Sequence, residues 1–493
     1  MSCIEIWCAS YLLYMFAKSI ALHTGIQVGG RAVSVVFGIL TLGILTRYLG
    51  TEYFGWYTTA TTYMQIFAIV VDLGITLTLL QLIAEFPEKS EVVVGTIFTL
   101  RVASAAIVLG IAPIAAFFLP YPRALLIGIV IVSISFFFGT LHQMLTGIFQ
   151  KHLKMQQLMG AEVAGRIALY VAAIVIAWRM PDTVVGYWLL LGAMGIANLC
   201  MFALSFSYAR KLVPIHFVFD LPVALLVVHR AWPIALTTLA NLLYLKMDTV
   251  FLSFYRSQAE VGMYGAPYRI MEVLVYAPTA FMGLLLPVLT ASWVRGDREA
   301  FLNIARKGFD MLLLVTLAMG VGMYVTARPL MRLVAGASFT ASGAVLEILT
   351  FAVCAIFIST FWSHVIIALN RQKKVIPVFL ASAVFALIGY KVFIPRYGMW
   401  GAAWMTVAVE VAVMIGTYAV VWRESELRPD ARGIVRAFAV AAGMAAVLLP
   451  LRGEPLVVLF ATGMVSFFAF ALVVRALPTE RLRRMLCNRA ATR

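Results

Sequence analysis

The feature that most constrains this chain is its succession of long apolar runs. They fall at about 23–47, 56–84, 92–118, 124–149, 156–178, 184–207, 222–249, 262–290, 308–327, 343–368, 375–394, 400–422, 434–451 and 455–477, with only short polar turns between them. An α-helix rises about 1.5 Å per residue, so about 20 apolar residues cross the hydrocarbon of a bilayer. Within hydrocarbon every backbone amide needs a partner, which restricts spanning structures to helices and closed barrels. Barrel strands alternate with period two over about ten residues, whereas these runs are continuous. The pattern predicts an all-α polytopic membrane protein with about 14 transmembrane helices. A chain that is 63% hydrophobic and 12% charged also has too little polar surface to coat a soluble globule.

The net charge of +16 follows from where the cations sit. Assigning alternate loops to opposite sides leaves about 23 Lys and Arg on the side of Lys89, Lys151, Lys154, Arg210, Lys211, Arg295–Lys307, Arg371–Lys374, Arg423–Arg436 and the tail, against about nine on the other. Cations are retained on the cytoplasmic side, so both termini are expected there. No basic, aromatic-interleaved soluble segment exists to bind nucleic acid. The first twenty residues, with Glu5 and the late cation Lys18, lack the basic start and cleavage site of a signal peptide and read as an interfacial lead-in. The segment Ser292–Lys307 is expected to form a short amphipathic helix, and the tail Arg475–Arg493 to lie on an anionic leaflet. Cys3, Cys8, Cys200, Cys354 and Cys487 show neither pairing nor metal spacing and read as packing residues.

Two of the runs, joined by the turn Tyr48–Gly55, carry polar seams. Gln27, Arg31, Ser34, Gly38 and Thr41 share one face of the first, and Thr58, Thr62, Gln65, Asp72 and Thr76 one face of the second. The arrangement recurs. Thr46–Ala60 (TRYLGTEYFGWYTTA) and Ser253–Pro267 (SFYRSQAEVGMYGAP) superpose at a single offset that sets Tyr48 on Tyr255, Gly55 on Gly262 and Tyr57 on Tyr264. In the second copy Thr237, Asn241, Tyr244 and Asp248 share one face, and Tyr268, Glu272, Tyr276 and Thr279 another. Pro113, Pro233, Pro267, Pro278, Pro287 and Pro377 are expected to kink their helices.

An ionisable group within a span costs about 2.5–3.5 kcal/mol on insertion scales, so each must face a cavity or a partner. Arg31 and Asp72 either line a hydrated cavity or pair with each other. Arg269 is one turn from Glu272, its candidate intrahelical partner. Glu162 and Arg166, four residues apart, are expected to pair within their helix, and Lys246 to snorkel towards the interface. Glu410 is isolated within its span. His142 and His364 read as bundle residues satisfied by hydrogen bonds rather than metal ligands. No phosphate loop, His-Glu-x-x-His or Gly-x-Ser-x-Gly motif is present, which argues against an enzyme.

Several motifs together resemble one family. TRYLGTEYFG at Thr46–Gly55, Asp72-Leu73-Gly74-Ile75, Glu260-Val261-Gly262-Met263-Tyr264, Leu369-Asn370-Arg371-Gln372-Lys373 and the run Ile394–Ala403 (IPRYGMWGAA) are similar to the polysaccharide-transporter (Wzx-like) branch of the multidrug/oligosaccharidyl-lipid/polysaccharide flippase superfamily. The resemblance implies two pseudo-symmetric six-helix lobes around a central cavity lined by the first, second, seventh and eighth spans, plus two further C-terminal helices. On this chain those are residues 1–215, 216–425 and 426–493. It also implies alternating access and export of an undecaprenyl-pyrophosphate-linked oligosaccharide, of O-antigen or exopolysaccharide type. A multidrug antiporter of the same superfamily is the nearer alternative, and a membrane glycan polymerase or ligase the more distant.

Such a substrate joins a lipid tail, an anionic linker and a hydroxyl-rich head, so its carrier needs a polar path with cations for the linker. The pyrophosphate candidates are Arg31 and Arg269, with Arg101 in reserve. The sugar-contact candidates are Gln65, Asn241, Tyr244, Tyr268 and Tyr276. Asp72, Asp248 and Glu272 are the candidates for a proton or sodium ion that resets the empty carrier. No cofactor is called for. Membrane lipids and polysaccharide polymerases or assembly proteins are the expected partners.

Overall fold

The computed structural model describes residues 3–476, with side chains from residue 29 onward apart from those at 233, 234 and 237. Expectations resting on Gln27, Thr237, Pro233, Cys3, Cys8, Cys487, the lead-in and residues 477–493 of the tail lie outside that description.

The described residues are helical throughout and contain no strand. In chain order the helices are α1 (Cys3–Asp72), α2 (Ile75–Glu85), α3 (Ser90–Ala116), α4 (Arg123–Lys151), α5 (Met155–Arg179), α6 (Thr183–Ala209) and α7 (Leu221–Tyr255). They continue with α8 (Gln258–Leu274), α9 (Tyr276–Val294), α10 (Arg298–Ala335), α11 (Thr340–Ala368), α12 (Ile376–Ser425), α13 (Ala431–Leu448) and α14 (Leu456–Val473). Among the described residues 11 helical stretches are long and apolar enough to cross a membrane, against the fourteen runs read from the sequence. Two of the 11, Gly29–Glu85 (57 residues) and Gln372–Ser425 (54 residues), are far longer than the ~20 residues one crossing needs. Each is broken at a glycine.

Those breaks are where local backbone chemistry decides the fold. The first hairpin turn is not the eight-residue loop expected at Tyr48–Gly55. It is a single residue, Gly50 (φ 66°, ψ −174°), and helix resumes at once. Gly398 (φ 57°, ψ −136°) breaks α12 in the same way. Only glycine enters this region without steric cost. A third break, Leu73-Gly74 (φ 33° and 85°), separates α1 from α2. The prolines expected to kink their helices fall within helices and at helix starts. Pro113, Pro267 and Pro287 lie within helices, Pro377 sits in the first turn of α12, and only Pro278 follows a break, at Val275 between α8 and α9. The amphipathic helix expected at Ser292–Lys307 is also absent. Gly296 (φ 74°) makes a turn, and Asp297 caps α10 by accepting from the Ala300 amide at 2.9 Å.

Compaction divides the chain into two units, Met1–Leu242 and Leu243–Arg493, inside α7. In the first unit α4 packs along α6 and α1 along α5. Leu79, Ile83, Val94, Ile97, Leu145, Ile148, Ala209 and Val227 form one apolar knot where six helices and their connections meet. In the second unit α10, α11 and α12 pack side by side. The two C-terminal helices join it through Met444, Leu448 and Leu459 against Ala318 and Val325 of α10.

In both units the turn of the first hairpin is tied to the turn of the third. Tyr48 donates its hydroxyl to the Met180 carbonyl (2.8 Å), just before α6. In the second unit Arg256 donates to the Arg396 carbonyl (3.0 Å), and Glu260 accepts from the Met399 amide (3.1 Å), either side of Gly398. A Cβ at Gly398 would collide with the Glu260 carboxylate, whereas one at Gly50 meets open space. Both Gly→Ala variants should therefore unfold at lower temperature in detergent. Gly50→Ala should cost about 1–2 kcal/mol of backbone strain and Gly398→Ala clearly more, by displacing Glu260. Equal melting temperatures would show that the two breaks are relaxed by the same means.

Candidate functional site

In the first unit the deepest charge is Arg101 on α3, whose side chain is fully buried. It meets the end of α1, where the helix stops at Asp72 and leaves carbonyls without intrahelical partners. Its Nη1 donates to the Val71 carbonyl (3.0 Å) and pairs with Asp72 Oδ1 (2.8 Å). Its Nε and Nη2 both donate to the Thr140 carbonyl of α4 (3.3 and 3.2 Å). Thr76, in the first turn of α2, donates to Asp72 Oδ1 at 2.6 Å across the break. The motif Asp72-Leu73-Gly74 is thus a helix interruption, and Arg101 is the group that satisfies it.

Arg31 behaves differently. It is not paired with Asp72. Its Nη1 meets Glu162 Oε1 of α5 at 2.9 Å, with the arginine side chain 37% exposed and the carboxylate 10%. Glu162 is therefore engaged by another helix, where a pair with Arg166 was expected. The helices come close because Gly30 faces Met159, one turn from Glu162. His142 bonds Ser205 (3.0 Å) and His364 the Thr360 carbonyl (2.8 Å).

One seam hydroxyl, that of Thr41, serves its own helix. Thr41 donates to the Phe37 carbonyl at 2.7 Å, and Thr61, Thr316, Thr350 and Thr417 also bond carbonyls four residues back. Hydroxyls in apolar helices back-bond in this way, so a periodic stripe of Thr does not by itself mark a wet surface. Ser34, Thr58 and Thr62 are buried and Gln65 is half-buried.

Two polar groups of the second unit contain residues singled out in the sequence. The first is a triad. Glu272 pairs through Oε2 with Arg269 Nη1, three residues back at 3.1 Å, and through Oε1 with Lys246 of α7. Lys246 also lies over the Tyr268 ring, 4.9 Å from its centroid. It therefore points into the bundle and does not snorkel. A carboxylate shared by two cations is poorly placed to bind a third, which argues against Glu272 as an ion site. The second group surrounds Asp248, which is fully buried. Its carboxylate accepts from the Tyr264 hydroxyl (2.6 Å) and the Thr249 amide (2.6 Å), with Thr406 of α12 at 3.4 Å. Glu410, also on α12, is buried.

The tyrosines are positioned by backbone. Tyr390 donates to the Tyr244 carbonyl (2.8 Å), and Tyr268 donates to the Leu245 carbonyl. Both Tyr244 and Tyr268 are buried, Asn241 is half-buried, and Tyr276 is 51% exposed. Sequence reasoning missed Glu162 as the partner of Arg31 and Lys246 as a partner of Glu272. Periodicity identifies a helix face, not the helix opposite it.

Removing one member of a buried ion pair typically costs about 3–5 kcal/mol. Arg101→Ala should therefore deplete the folded protein, as read by size-exclusion profile and melting temperature in detergent. Arg31→Ala, which removes the more exposed member of its pair, should cost less than Arg101→Ala by both readouts.

Comparison with known proteins follows from this architecture. Residues 17–293 match the family described as polysaccharide biosynthesis protein. No curated protein matches the chain. Among solved structures the fold is similar to a lipid II flippase, MurJ, in an inward-closed conformation, with TM-score 0.74 and 14% identity over 92% of this chain and 99% of that one. It is also similar to an inward-facing multidrug resistance MATE family transporter (TM-score 0.64, 11% identity, covering 85% and 98%). A Vibrio cholerae MATE transporter matches with TM-score 0.58 and 16% identity, covering 84% and 97%. At these identities the likeness is one of fold. The family match spans more than half of the chain, and with the multi-pass helical architecture it identifies this protein as a membrane member of the polysaccharide biosynthesis protein family.

Proposed function

We propose that this protein is a carrier that moves undecaprenyl-pyrophosphate-linked oligosaccharide from the cytoplasmic to the outer leaflet of the bacterial inner membrane, by alternating access and with both termini in the cytoplasm. The observation that carries the reading is the pair of half-exposed arginines, Arg31 and Arg269. Each sits on an apolar helix and is held by a carboxylate, Glu162 and Glu272 respectively. A charge maintained there against the cost of insertion has a use for an anion, and a guanidinium binds phosphate oxygens in pairs. Family membership and a fold shared with a lipid II flippase support the same reading. Arg101 is withdrawn from the phosphate candidates because its donors already hold Asp72 and two carbonyls. Asn241, Gln65 and Tyr276 remain sugar-contact candidates, whereas Tyr244 and Tyr268 are buried.

Asp248 is the coupling residue in this reading. It is a buried carboxylate ringed by hydroxyls from three helices, and the cation nearest it in sequence, Lys246, pairs with Glu272 instead. Outward movement of negative charge is itself favoured by the membrane potential, by about 2.3 kcal/mol per charge per 100 mV, so coupling assists rather than powers export. Polysaccharide polymerases would receive the product. A small-molecule antiporter is the second reading, favoured by the same buried Asp248 and by the fold shared with MATE transporters.

Leaflet-resolved labelling of lipid-linked oligosaccharide separates the two. Cells lacking the protein should accumulate the glycan on the inner leaflet, and Arg31→Ala should reproduce that accumulation at normal protein level. Unchanged glycan distribution with altered drug sensitivity would favour the antiporter.

A further inference from the structure

We infer that Arg328, Arg332 and Arg452 form a binding site for the phosphate of an anionic phospholipid, set above an apolar surface that takes its acyl chains. The site lies wholly within the second unit. From the carrier reading the inference takes only the placement of both termini in the cytoplasm, and it uses no residue proposed to meet the glycan.

Arg328 and Arg332 stand one turn apart near the end of α10 and so share a face. Glu347 of α11 takes Arg328 with both oxygens, Nε to Oε1 at 3.0 Å and Nη2 to Oε2 at 3.2 Å. The two helices approach closely here because residue 343 is glycine; a Cβ there would stand 2.8 Å from the Arg328 Cα. Arg452 arrives from the turn between α13 and α14. Its Nη2 is 3.5 Å from Glu347 Oε1, and its guanidinium carbon is 4.6 Å from the centre of the Tyr324 ring. Arg332 pairs with no carboxylate among the described residues, and Glu454, in the same turn as Arg452, pairs with none of the three arginines. The side chains of Arg328 and Arg452 are 65% and 40% exposed and Arg332 is exposed, whereas the Glu347 side chain is only 12% exposed. A carboxylate shared by two cations carries no weight alone, since Glu272 and Glu424 are held likewise. Location does. With the termini in the cytoplasm, the end of α10 and the α13–α14 turn lie on the outer side, which has about nine Lys and Arg in all. About a third of them gather at this one place, so retention of cations on the inner side does not account for the cluster.

What lies beneath the arginines selects the ligand. Tyr324 precedes Arg328 by one turn of α10 and Phe351 follows Glu347 by one turn of α11, so both rings sit about 6 Å deeper along their helices. Their centroids are 6.1 Å apart, and Phe351 is 51% exposed. A free anion has no use for an exposed ring below its cations. A phospholipid carries a phosphate with acyl chains directly beneath it and so matches both features. A zwitterionic headgroup would bring its own cation among the guanidinium groups, which selects the anionic class. Because Arg452 belongs to the α13–α14 turn and Arg328 and Arg332 to α10, a phosphate held by all three also ties the C-terminal helix pair to α10.

The test uses the full-length protein in phosphatidylcholine nanodiscs doped with phosphatidylglycerol that carries a photoreactive diazirine in one acyl chain. After irradiation, label at Phe351 is read by mass spectrometry relative to label at Ile107 and Ile111, exposed apolar residues of α3. That ratio should exceed the one given by identically tagged phosphatidylcholine by about tenfold or more. Arg332→Gln should lower it about fivefold, the effect of one cation beside an anionic lipid, with the melting temperature in pure phosphatidylcholine unchanged. Arg332→Gln/Arg452→Gln should abolish the enrichment; Glu347 keeps Arg328 in that variant. Equal labelling by the two lipids overturns the inference, as does enrichment that survives in the double variant. Loss of enrichment on adding soluble glycerol 3-phosphate overturns it too, by making the cluster a site for free anions. Should the double variant fail to fold, Arg332→Gln decides alone, and wild-type labelling in it is fatal. Glycan distribution is not read here, so failure of the labelling leaves the carrier reading standing, and normal glycan export in Arg31→Ala leaves the lipid site standing.

Discussion

Hydrocarbon offers no hydrogen bonds, so a helix that stops inside it must bring its own partner for every carbonyl it exposes. The end of α1 meets this condition with a single residue from another helix. Arg101 takes the Val71 carbonyl, the Asp72 carboxylate and the Thr140 carbonyl together, and Thr76 closes the far side of the break. The rest of the first unit follows from that arrangement. α3 and α4 are drawn against the break, and α2 leaves in a new direction to join the apolar knot formed with α3, α4 and α6. A guanidinium is suited to the task because its donors point in several directions at once and its charge offsets the partial negative charge at a helix C-terminus.

The intramembrane arginines lie at different depths of burial. Arg101 is sealed, and its donors are engaged by backbone and Asp72. Arg31 and Arg269 keep about a third of their side-chain surface exposed while a carboxylate fixes their direction. Burial therefore distinguishes Arg101 from Arg31 and Arg269, which residue type and position along a span cannot do.

Much of this was legible in residues. The apolar runs give the helices, the turn chemistry places glycine near each break, and the three-residue spacing of Arg269 and Glu272 gives their pair. Arg31 and Asp72 were recognisable as groups needing a partner. Which partner was not. Glu162 lies 131 residues from Arg31, and no periodicity within one helix reports on another that far away. The breaks fall at or beside glycine, because a positive φ is easiest without a Cβ, whereas a proline's missing amide can be absorbed within a continuous helix. Thr41 shows a related effect: a hydroxyl that bonds its own turn is silent towards its neighbours.

The interruption at Leu73-Gly74 has a mechanical consequence. A continuous helix is a stiff rod that carries bending and twist from one end to the other. With the rod interrupted at Gly74, the segment before Asp72 and α2 are coupled by the backbone at the break, by Thr76 and the Arg101 hub, and by the packing of both against α3 and α4. Stiffness at such a joint rests on side-chain contacts more than on an unbroken ladder of backbone hydrogen bonds.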